Sequence, residues 1–133
     1  MSRADIVKLS NEDLGWLDPT DRLRSERMRA ILDRGLKIGL VTRGNAGALA
    51  VRQGGLEVAA PARPVSVVDT VGAGDTFNAG FLARLHALGA LGRDALEVPD
   101  EMVLCAALEV RSEPPPDPWL NPELDDRPVP RCP

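Results

Sequence analysis

Val68-Asp69-Thr70-Val71-Gly72-Ala73-Gly74-Asp75-Thr76-Phe77 is the stretch on which the reading of this chain turns. An apolar run before it, Val65-Ser66-Val67-Val68, reads as a β-strand. The pattern after it predicts a helix from about Asp75 to Leu88, with Phe77, Phe81, Leu82, Leu85 and Leu88 sharing a face. Strand, glycine-rich turn and helix in succession aim backbone N–H groups and the positive end of the helix dipole into one small volume, which binds phosphate oxygens. Gly72 and Gly74 carry no side chain to block that approach. Asp75 sets the turn apart from a plain phosphate cradle, because a carboxylate there would repel a resting pyrophosphate. Phosphoryl transfer, by contrast, needs a group to orient and deprotonate the attacking hydroxyl, and donors for the charge on the transferred group. Asp75 can do the first and the N–H groups of Val71 to Gly74 the second. The competing reading is a helix-terminal acid stabilised by the dipole.

Working outward, Asp5-Ile6-Val7-Lys8-Leu9 reads as a strand, and Ser10 as the N-cap of a helix over residues 11–17 with Asp13 as its capping-box partner. Pro19-Thr20-Asp21 opens a second helix to about Asp33, with Leu23, Met28, Ile31 and Leu32 on one side and Gly35 as its stop. Leu36 to Thr42 is a mostly apolar strand, followed by turn residues Gly44-Asn45-Ala46-Gly47. Ala48 to Arg52 and Leu56 to Ala60 flank Gln53-Gly54-Gly55 as an antiparallel hairpin. A short helical piece after Gly92 and a helix from Pro99 to about Val110 close the ordered pattern. This order predicts an α/β fold on a mixed sheet over residues 1–110. Pro114, Pro115, Pro116, Pro118, Pro122, Pro128, Pro130 and Pro133 then crowd residues 111–133, which read as a non-core tail.

The chain has 133 residues, 44% apolar and 27% charged, the balance of one soluble domain or a piece of a larger one. A net charge of −4 without clustered Lys and Arg argues against a nucleic-acid partner. No apolar run approaches the roughly 18 residues that span a bilayer, and Met1 to Asp5 does not open a signal peptide, so no membrane partner is expected and the cytoplasm is the expected location. Cys105 lies in an apolar helical pattern and Cys132 near the chain end, so Cys105 reads as a small core residue and a disulfide is not expected. His86 has no second His or Cys at ligand spacing and reads as solvated or packed. Arg22, Arg24, Arg27 and Arg29 alternate with acids and read as a solvated helix face.

The phrase DTVGAGDTFNAGFL, starting at Asp69, resembles the second signature of the PfkB carbohydrate kinases, the ribokinase and fructokinase family. The resemblance implies a ribokinase-like three-layer α/β sandwich that transfers the γ-phosphate of ATP to a sugar hydroxyl, with Mg²⁺ as cofactor and K⁺ as a further cation. It implies that Asp75 is the catalytic base and touches the sugar, and that Gly72, Ala73 and Gly74 form the anion hole. Asp69, with the backbone of Val71, would help hold the monovalent cation. Val41-Thr42-Arg43-Gly44 is similar to the family's strand-end T-x-G, in which Thr42 and Gly44 would contact the nucleotide phosphates; taken alone it is an ordinary turn after a strand. Asp5 to Leu17, DIVKLSNEDLGWL, resembles the fructokinase-like version of the N-x-x-E region, which implies a Mg²⁺-organising role for Asp13. Helix capping by Ser10 is the equal alternative for those residues.

The resemblance covers about residues 4–110 and corresponds to the C-terminal part of a family member. The sandwich is therefore expected to be incomplete, without the N-terminal half and lid that carry most sugar contacts. The Pro-rich ending departs from the family's Gly-Ala loop, for which a shifted reading frame or an aberrant gene boundary beyond about Leu108 is the expected cause. The expected activity is that of a fructokinase-like sugar kinase; the alternatives are an inactive nucleotide-binding module and a gene remnant. Expected partners are ATP and a small sugar, with the open sheet edge covered by a second copy or by a complementary N-terminal half.

Overall fold

Alternation along the strands sets the layers, because successive side chains of a strand point to opposite faces. In the computed structural model, which describes residues 4–62, 72–92 and 100–108, strand β1 spans Ile6–Ser10. Val7 and Leu9 of β1 join one apolar cluster and Ile6 the other. β2 (Ile38–Thr42) divides in the same way, with Val41 in the first cluster and Ile38 and Leu40 in the second. β3 (Ala48–Arg52) gives Leu49 and Val51 to the first cluster and Ala48 and Ala50 to the second. β4 (Glu57–Ala60) follows suit with Ala59 on one side and Val58 and Ala60 on the other.

Helices cover both faces. α1 (Asn11–Leu17) and α2 (Arg24–Leu32) bring Leu14, Met28 and Leu32 into the first cluster. α3 (Ala73–Ala87) and α4 (Glu101–Leu108) bring Phe81, Leu85, Leu104 and Leu108 into the second. The result is a three-layer α/β sandwich around a sheet of order β1-β2-β3-β4. β1 and β2 are parallel, with Ile6 opposite Ile38 and Ser10 opposite Thr42, whereas β2, β3 and β4 run antiparallel in turn. Small residues let the helices sit close: the buried Met28 thioether fills the space that a Cβ on Gly39 would take.

Several sequence expectations need correction. α2 begins at Arg24 rather than near Pro19, because Asp18 accepts from the Thr20 N–H and hydroxyl and from Arg22 Nη2, holding residues 18–22 in a side-chain-bonded turn. The first helical turn is instead closed by Glu26, whose carboxylate accepts from the Leu23 N–H. Leu82 and Leu88 do not share the buried face of α3: they are 38% and 41% exposed, while Phe81 and Leu85 are fully buried and Phe77 packs beside them. The arginines of the α2 region are not a free solvated face. Arg24 Nε donates to Asn11 Oδ1, Arg27 Nη2 to the Leu14 carbonyl and Arg29 Nη2 to Glu57 Oε2, tying α2 to α1 and to β4. Cys105 is buried in the second cluster as expected, yet it is disulfide-bonded, against the expectation of a lone core thiol. The expected strand over residues 65–68, the helical piece after Gly92 and the tail over 111–133 lie outside the described residues. Among the described residues no helix is long and apolar enough to cross a membrane.

Candidate functional site

In a sheet with parallel strands, ligands gather outside the carboxyl ends of those strands. Here the carboxyl ends of β1 and β2 meet at the Ser10–Thr42 pair. The chain leaves β1 there and enters α1 at once, because Ser10 caps the helix. Its Oγ accepts from the Asp13 N–H at 3.0 Å, and Asp13 Oδ2 accepts from the Ser10 N–H at 2.9 Å. The capping reading of these residues is thus present in full. The Ser10 backbone N–H, and after it the Ser10 side chain, hold the Asp13 carboxyl below its usual value, with the positive charge of Lys8 adding to the effect. Asp13 Oδ1 takes no hydrogen bond among the described residues, so one oxygen stays available to a metal's water shell. No group of three His, Cys, Asp or Glu side chains able to hold a metal occurs among the described residues.

A depressed carboxyl makes a pH prediction. Asp13 stabilises the fold above its unfolded value of about 3.9 and loses that contribution as pH falls through the lower folded value. Asp13→Ala should be less stable than wild type in urea melts near neutral pH, and the gap should narrow as pH falls below the usual carboxylate range. An equal gap at neutral and at acid pH would mean that the carboxylate's charge plays no part.

Thr42 lies beside this cap on the side of the sheet that faces α3, since it follows Ile38 and Leu40 at the two-residue period. Its Oγ1 lies 3.5 Å from the Leu9 carbonyl, a long contact that leaves the hydroxyl able to turn to a ligand. Gly44 starts the 3₁₀ turn Gly44–Ala46, which carries the chain away from β2.

The third element is the start of α3. Gly72 is its N-cap at φ 80°, a left-handed conformation that a side chain would strain. Gly72 makes no side-chain cap bond, and the first intrahelical bond shown runs from the Thr76 N–H to the Gly72 carbonyl at 2.9 Å. The N–H groups of Ala73, Gly74 and Asp75 belong to the helix end that has no intrahelical acceptor. They fit the oxygens of an anion, and Asp75 stands exposed within that same first turn. Asp69 and Val71, the expected cation ligands, lie outside the described residues.

Sequence reasoning missed one neighbour of this turn. The Lys8 ammonium reaches Gly74 so closely that a Cβ there would sit 2.8 Å from Nζ. The signal was available: Lys8 is the only charged residue inside Ile6–Ser10, and alternation puts it on the Ile6 face. The structure thus brings Lys8 to Gly74 and sets Ser10, with Asp13 bonded to it, opposite Thr42. A shallow pocket lined by Arg29, Leu32, Asp33, Arg52 and Gln53 lies at the opposite end of the sheet and contains none of the expected site residues. His86 is exposed in the last turn of α3, away from the cradle.

Comparison with known proteins adds an independent line. A family profile described as pfkB family carbohydrate kinase matches residues 1–113. A fructokinase from Rhizobium leguminosarum bv. trifolii is 39% identical over 106 residues, covering 77% of this chain and 31% of that protein. A Klebsiella pneumoniae fructokinase is 41% identical over 100 residues, covering 75% and 32% respectively. Among solved structures, aminoimidazole riboside kinase from Salmonella enterica superposes with a TM-score of 0.60 at 30% identity, over 78% of this chain and 32% of that one. The Vibrio cholerae O395 fructokinase, solved with fructose, ADP and calcium ion, gives a TM-score of 0.58 at 30% identity over the same 78% and 32%. The chain spans about a third of the length of the curated relatives it matches.

Proposed function

The chain belongs to the pfkB family of carbohydrate kinases, and from that premise we propose that it carries the phosphoryl-transfer end of an ATP-dependent sugar kinase acting on fructose or a related ketose. The observation that carries the reading is the first turn of α3, where N–H groups without intrahelical acceptors stand beside an exposed carboxylate, Asp75. In the proposed reaction Asp75 accepts the proton of the sugar hydroxyl as that oxygen bonds to the γ-phosphorus. The bond from the γ-phosphorus to the bridging oxygen breaks, and ADP leaves with the electron pair. The anion hole assigned to Gly72, Ala73 and Gly74, with the Asp75 N–H beside it, takes the charge on the transferred oxygens. Thr42 and Gly44 steady the nucleotide phosphates from the end of β2. Mg²⁺, when bound, neutralises the phosphate oxygens; Asp13 is the carboxylate assigned to it, through the oxygen that the helix cap leaves free. Asp69 and the Val71 backbone are assigned to K⁺. The fructose assignment rests on the fructokinases among the relatives.

The N–H groups at the start of α3 could hold phosphate without transferring it, so the second reading is nucleotide binding without turnover. Coupled detection of ADP release with and without fructose separates the two. Fructose-dependent release supports the kinase; nucleotide binding with no release under any ketose supports the binding module and removes the transfer reaction.

A further inference from the structure

A lysine in the middle of a strand that packs on both faces has to take its charge somewhere. Lys8 shares the face of Ile6 and pairs with Leu40, which is followed across the sheet by Ala50 and Val58, all members of the cluster under α3 and α4. Its ammonium lies beside Gly74, in the first turn of α3. This is the wrong end of a helix for a cation. The free N–H groups there carry a partial positive charge, so an ammonium beside them is repelled. Among the described residues no carboxylate lies within ion-pair distance of Lys8. Asp13 is near enough to feel its charge, but that carboxylate is already held by the Ser10 cap. Two positive groups thus stand together at the first turn of α3, an arrangement that becomes favourable when an anion enters.

We propose that Lys8 is a phosphate-contacting residue of this site, its ammonium pairing with the terminal phosphoryl group of the nucleotide beside the N–H groups of Gly74 and Asp75. The inference rests on the nucleotide-binding part of the kinase reading. It also gives Gly74 a second reason to lack a side chain: any Cβ there would displace Nζ from the cradle. Because Asp75 follows Gly74 directly, the ammonium stands at the phosphoryl group that would be transferred rather than at the α-phosphate. Its contribution is a charge-assisted contact aimed where negative charge concentrates.

The test uses calorimetric titration of the whole chain with a non-hydrolysable ATP analogue and with ADP, for wild type, Lys8→Met and Lys8→Arg. Methionine keeps an unbranched side chain of similar length and removes the charge. Lys8→Met is expected to bind the ATP analogue about tenfold more weakly, with ADP changed by less than about twofold, and Lys8→Arg should recover most of the loss. Thermal unfolding without ligand should be unchanged or higher in Lys8→Met, since the repulsion at the helix end is gone. Wild-type affinities in Lys8→Met would overturn the inference and leave the kinase reading standing. Equal loss for both nucleotides together with a lower unfolding temperature would mark Lys8 as structural and overturn it too. Wild type binding neither nucleotide would remove both readings, whereas binding without sugar turnover would remove only the transfer reaction.

Discussion

Asp75→Asn is expected to lower fructose-dependent ADP release by about two to four orders of magnitude while nucleotide affinity stays near that of wild type. The substitution keeps the size and shape of the side chain and removes its ability to accept a proton. Asp75 is exposed and sits in the first turn of α3, so little packing is at stake. The lost interaction with the helix dipole is worth about 0.3–1 kcal/mol, too little to unfold the chain. Binding should not suffer, because a carboxylate repels the phosphates of the resting nucleotide and an amide does not. The effect therefore belongs in turnover rather than in affinity, a split that a merely dipole-stabilising acid would not produce. Turnover within about threefold of wild type would remove Asp75 from the mechanism.

Together with Lys8→Met, this variant separates two jobs inside one turn. In the proposed mechanism Asp75 acts on the hydroxyl proton and Lys8 on the phosphoryl charge, so the first variant should spare the preference for ATP over ADP and the second should erode it. Losses of both kinds in both variants would mean that the start of α3 is one mechanical unit, with neither side chain acting alone.

What could be read from the sequence followed from local chemistry. Ser10 and Asp13 stand three residues apart, each able to satisfy the other's backbone N–H, so the cap and the whole of α1 were legible. The two-residue alternation of β1 to β4 and the turn residues at Gln53-Gly54-Gly55 likewise gave the hairpin and the two faces. Where the reading slipped, a side chain had competed with the backbone or reached across the chain. Asp18 took the donors of Thr20 and Arg22 and delayed α2. Arg29 found Glu57 on β4, and Lys8 found Gly74 on α3, pairings that no local spacing announces. The motif around Gly72 carries the family resemblance, whereas the charge beside it could be placed only once β1 and α3 were packed together.

The same contrast between local and distant causes makes Gly47 the most sensitive backbone position. It sits between the 3₁₀ turn and β3 at φ 90° and ψ −148°, a conformation that only glycine adopts readily. Its N–H donates to the Gly44 carbonyl at 3.1 Å and its own carbonyl accepts from the Arg43 N–H at 2.8 Å, so the conformation cannot relax without opening the turn after Thr42. A Cβ there would collide with the Ala60 carbonyl oxygen and lie 2.8 Å from Ala62 N and 2.9 Å from Pro61 C. All three are backbone atoms of the segment leaving β4, which cannot swing aside as a side-chain tip would, because Ala60 is fixed opposite Ala48 in the β3–β4 register. Gly47→Ala is accordingly expected to cost about 3 kcal/mol or more in urea unfolding, strain and overpacking together. Gly54→Ala is the control: φ there is 95° but a Cβ meets nothing within 4 Å, so only the strain of about 1–2 kcal/mol remains. If the two variants lose the same stability, the close approach of β4 to the turn contributes nothing, and the constraint at Gly47 is backbone strain alone.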